Sequence, residues 1–295
     1  MDTRLLEDAL ILLEERNLTA AAVRRNMTQP AFSRRIRALE HWIGQDLLVR
    51  GANRVELSPL LAKSEPQIRA LLGHLRQLHG HLKKPEGQGE PLVLVAQHSL
   101  SASAVPEIIQ KANAKDMRWQ VRLRTQNQDT AMSMFLRHEA DVMVSYEYRE
   151  LPQVPFDDTV ARCVWRRDAL VPVVGGALRH QLLDDNILPE HVPCIVYPAE
   201  SFLGQIVSLH HRGAARILDG PIAVESAFSV GVARMVTAGV GAAWVPHSLI
   251  HDEIISGEAV ILSSDYRRIP MDITLYVHAS NRKARQFQDC LEAEA

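Results

Sequence analysis

A chain of 295 residues, 46% apolar and close to charge balance at −2, has the length for about two globular domains with well-buried cores. Its longest weakly polar stretch, Met235 to Pro246, is too short to span a bilayer, and its acidic first helix is unlike a signal peptide, so a cytoplasmic protein with no membrane partner is expected. Three widely separated cysteines, Cys163, Cys194 and Cys290, fit reduced, buried thiols better than a disulfide framework, a redox pair being the alternative.

In chain order, Leu5, Leu6, Ala9, Leu10 and Leu13 draw the apolar stripe of a first helix. Thr19 to Arg25 is a short alanine-rich helix, and Asn26-Met27 is a break of the right length to join two helices across a tight turn. The third helix, Thr28 to Ile43, buries Phe32, Ile36, Leu39 and Ile43, with Thr28 as N-cap through its hydroxyl and Pro30 in the first turn. Opposite that stripe, Gln29, Ser33 and Arg37 form one row and Pro30 and Arg34 the next, with no acidic neighbour. This is a helix-turn-helix pattern, whose second helix lies in the major groove of double-stranded DNA. There Arg reaches guanine edges, Gln reaches adenine, and Ser and Thr contact bases or phosphates. From 24 to 54, seven arginines stand against Glu40 and Asp46, a local net of +5. A solvated basic helix face is the plainer reading of those arginines.

Beyond Gly44, DLLVRGANRVELS alternates around Gly51-Ala52-Asn53 as a short wing would, placing Arg50 and Arg54 for phosphate contact, although a plain surface hairpin also accounts for Arg54. Pro59 then opens a helix in which Leu61, Ile68, Leu75 and Leu82 recur at seven-residue steps, with Leu71 and Leu78 between them. Such a seam, with nothing to bury against in its own chain, implies a partner helix and a homodimer; a helix packed on its own domain is the competing view. A symmetric dimer presents two reading helices, which predicts an operator with interrupted dyad symmetry. His74, His79 and His81 lack companion ligands at metal-binding spacing and read as solvated. The stretch PEGQGEP, residues 85–91, is a linker by composition.

The remaining two-thirds alternates strand and helix patterns: 92–96, a helix over 105–115, 121–125, a helix over 130–137, and 140–146. A second set follows with strands at 160–165, 169–174, 193–197, 222–226, 241–246 and 271–279, helices at 203–212 and 230–238, and a last helix over 282–292. Two similar α/β halves built on parallel sheets are the economical reading. Ligands gather at the carboxyl ends of such strands. The candidates there are His98, Ser99, Ser101, Ser103, Thr125, Gln126 and Tyr146 in one half, and Tyr197, Ser201, Phe202 and Ser226 in the other, a set suited to a small polar or anionic ligand. Each Ser or Thr fits a helix cap equally well. No G-x-S-x-G, H-E-x-x-H, P-loop or dinucleotide glycine motif is present, so neither an enzyme nor a cofactor is expected. A solute-binding protein would share a two-lobed cleft, and a DNA-compacting protein would share the basic helix.

The residues Ala21-Ala22, Gln29-Pro30-Ala31-x-Ser33-Arg34-x-Ile36-Arg37-x-Leu39-Glu40, Gly44, Leu47, Arg50, Leu57 and Ser58 resemble the winged helix-turn-helix of LysR-type transcriptional regulators. The glycine-containing segment Val236 to Pro246 is similar to a turn of that family's effector domain. Two departures, Leu48 where the family usually has Phe and Leu61 where it usually has Gly, fall away from the DNA face. The resemblance implies an α/β protein with an N-terminal winged helix-turn-helix (1–58), a long linker and dimerisation helix (59–84) and a hinge (85–91). A two-subdomain, periplasmic-binding-protein-like α/β effector domain (92–295) follows. Subdomain I is 92–161 with 267–295 and subdomain II is 162–266, with a cleft between them. It also implies regulation by a small-molecule effector and a homodimer or homotetramer on DNA, with RNA polymerase as a further partner. The combination NMTQPAFSRRIRALEHWIG with AQHSLSASAVPEII is similar to a hypochlorite-responsive subgroup of that family, which implies an oxidative stress response. An oxidant would act on methionines such as Met117, Met132, Met134, Met143, Met235 and Met271, for which core packing is the commoner role.

Overall fold

The computed structural model of the protein describes residues 2–50, 55–82, 91–114, 118–152, 156, 158–212 and 216–292. The chain forms two compact units, the second beginning at Pro91.

The first unit contains α1 (Arg4–Glu15), α2 (Leu18–Arg24), α3 (Gln29–Ile43), the antiparallel hairpin of β1 (Leu48–Arg50) and β2 (Val55–Leu57), and α4 (Pro59–Leu82). Asn17 starts α2: its side-chain oxygen accepts from the amides of Thr19 at 2.8 Å and Ala20 at 3.1 Å. Asn17→Ala is expected to cost about 1 kcal/mol of stability, the usual worth of an N-cap. A chemical-denaturation midpoint that does not move would exclude that role. Asn26 adopts φ +55°, a left-handed conformation that asparagine tolerates better than most residues, and so reverses the chain between α2 and α3. Fully buried Ala21 and Ala22 let the two helices close on Phe32, Ile36 and Leu12. Leu39 belongs to a second cluster with Leu6, Ala9, Leu10, Leu47, Leu61 and Leu72.

Three local expectations are corrected. The Thr28 side chain makes no cap bond, and only its carbonyl serves the helix, accepting from Phe32 N at 3.0 Å. Ile43 is 37% exposed because α3 ends beside it at Gly44, whose φ of +76° suits glycine. The seven-residue seam of α4 is shared out differently: Leu61 and Leu72 are buried and Ile68 packs with them against α1 and α3, so that face is filled within the chain. Leu60 and Leu71, 45% and 46% exposed and three turns apart, mark a second apolar face that is open. The side chains of His74, Leu78, His79, His81 and Leu82 and the 85–90 linker lie outside the described residues. Leu48 is half-buried and Leu61 fully buried, so both departures from the family pattern are absorbed as core.

The second unit opens with β3 (Leu92–Gln97), α5 (His98–Ala102), α6 (Ala104–Asn113), β4 (Val121–Gln126), α7 (Gln128–Leu136) and β5 (Val142–Glu147). β6 (Val160–Gly175) leads to β7 (Cys194–Val196), α8 (Phe202–His211), β8 (Ile222–Glu225), α9 (Ser229–Thr237), β9 (Ala243–Pro246), α10 (His247–Ile255) and β10 (Ala259–Ile261). The chain returns through β11 (Ile269–His278) and ends in α11 (Arg282–Glu292). The first half runs β4-β3-β5-β11-β6; the second runs β8-β7-β9-β6-β10, with β7 joined to β9 by the Cys194–Ala242 bridge. Each half therefore places its first strand between its second and third, the arrangement of doubly wound sheets. Gly241 permits the β7–β9 approach, since a Cβ there would stand 2.7 Å from the carbonyl of Pro193.

The strands expected at 160–165 and 169–174 are one sixteen-residue strand, β6. Arg166, Arg167 and Asp168 interrupt its apolar pattern, yet their backbone stays in the ladder with β11. β6 thus belongs to both halves, and β11 runs antiparallel beside it. Cys194 is buried, while Cys163 and Cys290 are half-buried rather than fully so, and none of the three is joined in a disulfide.

Candidate DNA interface and effector cleft

On α3, Thr28, Gln29, Pro30, Arg34 and Arg37 are exposed and Ser33 is half-exposed, all on the side away from Phe32, Ile36 and Leu39. Gln29 also rims a groove of about 1010 Å³ that runs past Asn17 and Thr19 to Ser58 and Pro59 at the base of the wing. The Arg50 side chain and Arg54 lie outside the described residues.

What distinguishes the arginines of this unit is their pairing. Arg24 bonds Glu14 and Glu15 at 2.8 Å, and Arg25 bonds Glu7 at 3.2 Å and Asp8 at 2.8 Å; Arg35 also donates to Asp8. The acids of α1 therefore take up three of the seven arginines counted between 24 and 54. Among the described residues Arg34 and Arg37 have no such partner, so the free positive charge narrows to one face of α3. Asp8 is fully buried and ties α2 and α3 to α1 through its two guanidinium partners. Nothing in the polarity of α1 singles it out except its place on the apolar stripe, three residues after Leu5 and four before Leu12. Glu40 is a second positioning residue: one carboxylate oxygen accepts from the amides of Leu47 at 2.9 Å and Leu48 at 3.0 Å and so sets where the wing leaves α3.

In the second unit, a cleft of about 540 Å³ opens between the two halves. His98, Ser99 and Gln126 line it from the first half and Ser201 and Phe202 from the second, as expected from the strand ends. Gln97, Gln128, Met132, Gln205 and Ser229 join them. Their only sequence signal is proximity to the same strand ends. Ser201, which lines the cleft, also caps α8, accepting from Gly204 N at 3.1 Å. Phe228 carries no such signal, being a lone aromatic in a turn; its ring meets His98 edge-on, centroids 5.5 Å apart, across the gap between the halves.

The other candidates do not line this cleft. Thr125 donates to Ser101 at 3.0 Å and Ser101 to the Gln97 carbonyl at 3.1 Å, which ties β4, α5 and β3 together. Ser226 accepts from Phe228 N at 3.2 Å and shapes the turn into α9. Tyr197 is buried in the core, its hydroxyl without a partner among the described residues. Tyr146 is buried behind the cleft: its hydroxyl donates to Asp168 at 2.9 Å, and burial together with the Asp168 charge pushes its pKa well above the ordinary phenol value, so it stays a donor. Asp168 also accepts from Ser248 Oγ at 2.6 Å and Ser248 N at 3.2 Å, and Ser248 Oγ lies 3.2 Å from Ser103 Oγ. One carboxylate on β6 thereby joins β5 of the first half to α10 of the second, and Ser248 carries the link on to Ser103 just before α6. Among the described residues no cluster of three or more His, Cys, Asp or Glu could hold a metal, and no helix is long and apolar enough to cross a membrane.

A winged helix-turn-helix followed by a two-lobed α/β domain with a polar cleft defines a DNA-binding transcriptional regulator with an effector-binding domain. The family model "Bacterial regulatory helix-turn-helix protein, lysR family" matches residues 3–60 and "LysR substrate binding domain" matches 85–295: the chain belongs to the LysR family of transcriptional regulators. It is 30% identical over 280 residues to the HTH-type transcriptional regulator YjiE of Escherichia coli (strain K12), covering 94% of this chain and 88% of that one. Among solved structures, VV2_1132, a LysR family transcriptional regulator, superposes with a TM-score of 0.60 at 27% identity, covering 99% of both chains. Full-length HypT of Salmonella typhimurium, a hypochlorite-specific LysR-type transcriptional regulator, gives 0.57 at 27% identity, covering 99% of this chain and 97% of that one.

Proposed function

We propose that the protein is a cytoplasmic, sequence-specific regulator whose α3 face reads an interrupted dyad operator as a homodimer, under control of a small polar or anionic effector bound in the cleft. The observation that carries the DNA half is the pairing pattern: Arg34 and Arg37 stand free beside Gln29 and Ser33, while Arg24, Arg25 and Arg35 are held by α1. Leu60 and Leu71 on α4 offer a face for a second copy, and pairing of dimers into a tetramer would bring further reading helices onto DNA. Effector binding acts by favouring one of two arrangements of the lobes.

Oxidant sensing is a second reading, favoured by the likeness to HypT and by Met132, which lines the cleft half-buried. Met134, Met143 and Met271 are buried as core, Met235 packs partly buried, and Met117 lies outside the described residues. Burial pushes the Cys194 thiol up, which keeps it protonated and unreactive.

The purified protein should prefer its own upstream intergenic DNA to random duplex of equal length, and keep that preference at raised salt. Equal, steeply salt-sensitive binding to both would leave a small-molecule-binding protein with only nonspecific DNA affinity. Repeating the titration after mild oxidant separates the two kinds of signal. Arg34→Ala or Arg37→Ala should weaken operator binding by about 1–3 kcal/mol and relax base preference. Unchanged affinity in both would remove these residues from the reading face.

A further inference from the structure

A second cavity, of about 560 Å³, shares no lining residue with the effector cleft. It lies where the chain passes between the two halves, on the ribbon of β5, β11 and β6. Arg167 pairs in register with Asp272, and Asp272 with Glu147, so the three side chains stand in a row on one face. Alternation puts Tyr146 and Asp168 on the other face. Around the cavity stand four arginines, Arg149, Arg167, Arg267 and Arg268, and among the described residues no carboxylate comes within ion-pair distance of any of them. Of the acids in the lining, Glu147 is already engaged by Arg162 and the Tyr276 hydroxyl, which leaves Glu150 and Asp272 against four guanidinium groups. Tyr148, Leu209 and Pro270 supply apolar wall.

The turn that presents two of these arginines is fixed in an unusual backbone state. Arg267 has φ +55° and ψ 150°, a region otherwise left almost wholly to glycine. It is held there by Arg267 N donating to the Ser264 carbonyl at 2.9 Å, and by His210 Nε2 at 2.8 Å from the carbonyl of Tyr266. A cluster of unpaired guanidinium forks around a partly apolar hollow suits an anion with more than one carboxylate or phosphate group and an organic body.

We infer that this hollow is a second ligand site that takes a small di- or trianion carrying carboxylate or phosphate groups. An occupant there would hold β6, the strand common to both halves, against β11 beside it, and so bear on the lobes from outside the effector cleft.

The test is calorimetric titration of the full-length protein with citrate and, separately, with pyrophosphate, at an ionic strength held constant with sodium chloride. One-site, saturable binding by at least one of them is expected; which of the two binds separates a polycarboxylate from a phosphate source. Arg268→Gln should weaken it at least tenfold. Arg267→Gly should do the same while leaving the melting temperature unchanged or higher, because glycine relieves the backbone conformation, so loss of binding there is not loss of fold. Phe202→Ala, in the other cleft, should leave citrate or pyrophosphate binding unaltered. No saturable binding of either anion, binding that survives both arginine substitutions, or binding lost in Phe202→Ala would each overturn the assignment. None of these readouts involves DNA, so failure of the operator preference would not touch this result.

Discussion

Asp8→Ala should lower the stability of the amino-terminal unit by about 3 kcal/mol, the lower end of what is lost when one partner of a buried ion pair is removed. Asp8 is fully buried, and its two partners, Arg25 and Arg35, are about a quarter exposed, so their charges are only partly returned to water when the carboxylate goes. One further amine of Arg35 is already buried without a hydrogen bond, and removing Asp8 takes away the bond that its neighbouring nitrogen keeps. The comparison is Glu15→Ala, whose pair with Arg24 is largely exposed and should matter by less than about 1 kcal/mol. Urea unfolding of both variants decides the matter. Equal shifts would mean that Asp8 is not the tie between α1 and α3. DNA affinity should fall with stability in Asp8→Ala even though Asp8 faces no phosphate.

The second large effect is expected at Asp168. Replacing it with alanine leaves the buried Tyr146 hydroxyl without its acceptor and Ser248 without two bonds, at a cost of about 2–3 kcal/mol for unsatisfied buried groups. Tyr146→Phe removes only one of these bonds and should cost about 1 kcal/mol. If the two act in one network, the double variant should be less destabilised than the sum of the singles, since both remove the same contact. Strict additivity in thermal melts would show that Tyr146 and Asp168 act independently. Because this carboxylate joins both halves, Asp168→Ala should also raise amide exchange at the start of α10, where Ser248 N loses its acceptor.

The parts of the fold that were legible in the sequence are those fixed by local chemistry. The α3 stripe of Phe32, Ile36 and Leu39, the tight turn at Asn26 and the βαβαβ order from Leu92 onward all follow from periodicity and turn residues within a few positions of one another. The misses share a cause in long-range pairing. Asp8 reads as a solvent residue until two arginines from other helices close on it. β6 reads as two strands because Arg166, Arg167 and Asp168 are polar, and only β11, brought back from a hundred residues later, explains why they stay extended. At the cleft, the strand-end rule located His98, Ser99, Gln126, Ser201 and Phe202. It failed for Tyr146 and Tyr197 because it gives a position along a strand and says nothing of whether a large side chain turns outward or into the core. On α4, Leu71 and Leu72 are adjacent in sequence and only about 100° apart round the helix, yet one is exposed and the other buried, and a heptad count cannot tell which of them the chain itself covers.

The position of β11 also bears on how the protein is made. It is hydrogen-bonded on one side to β5 and on the other to β6, and it leaves the ribosome after both of them. Roughly a hundred residues separate it from the end of β6, which at about 5–20 residues per second means a wait of about 5–20 s with two strand edges uncovered. Throughout that interval β5 and the first part of β6 are open to pairing with other chains, while the second half can already close on β7, β8, β9 and β10. Synthesis thus delivers the inserted half before the half that surrounds it, and the edges of β5 and the first part of β6 are closed only when β11 arrives.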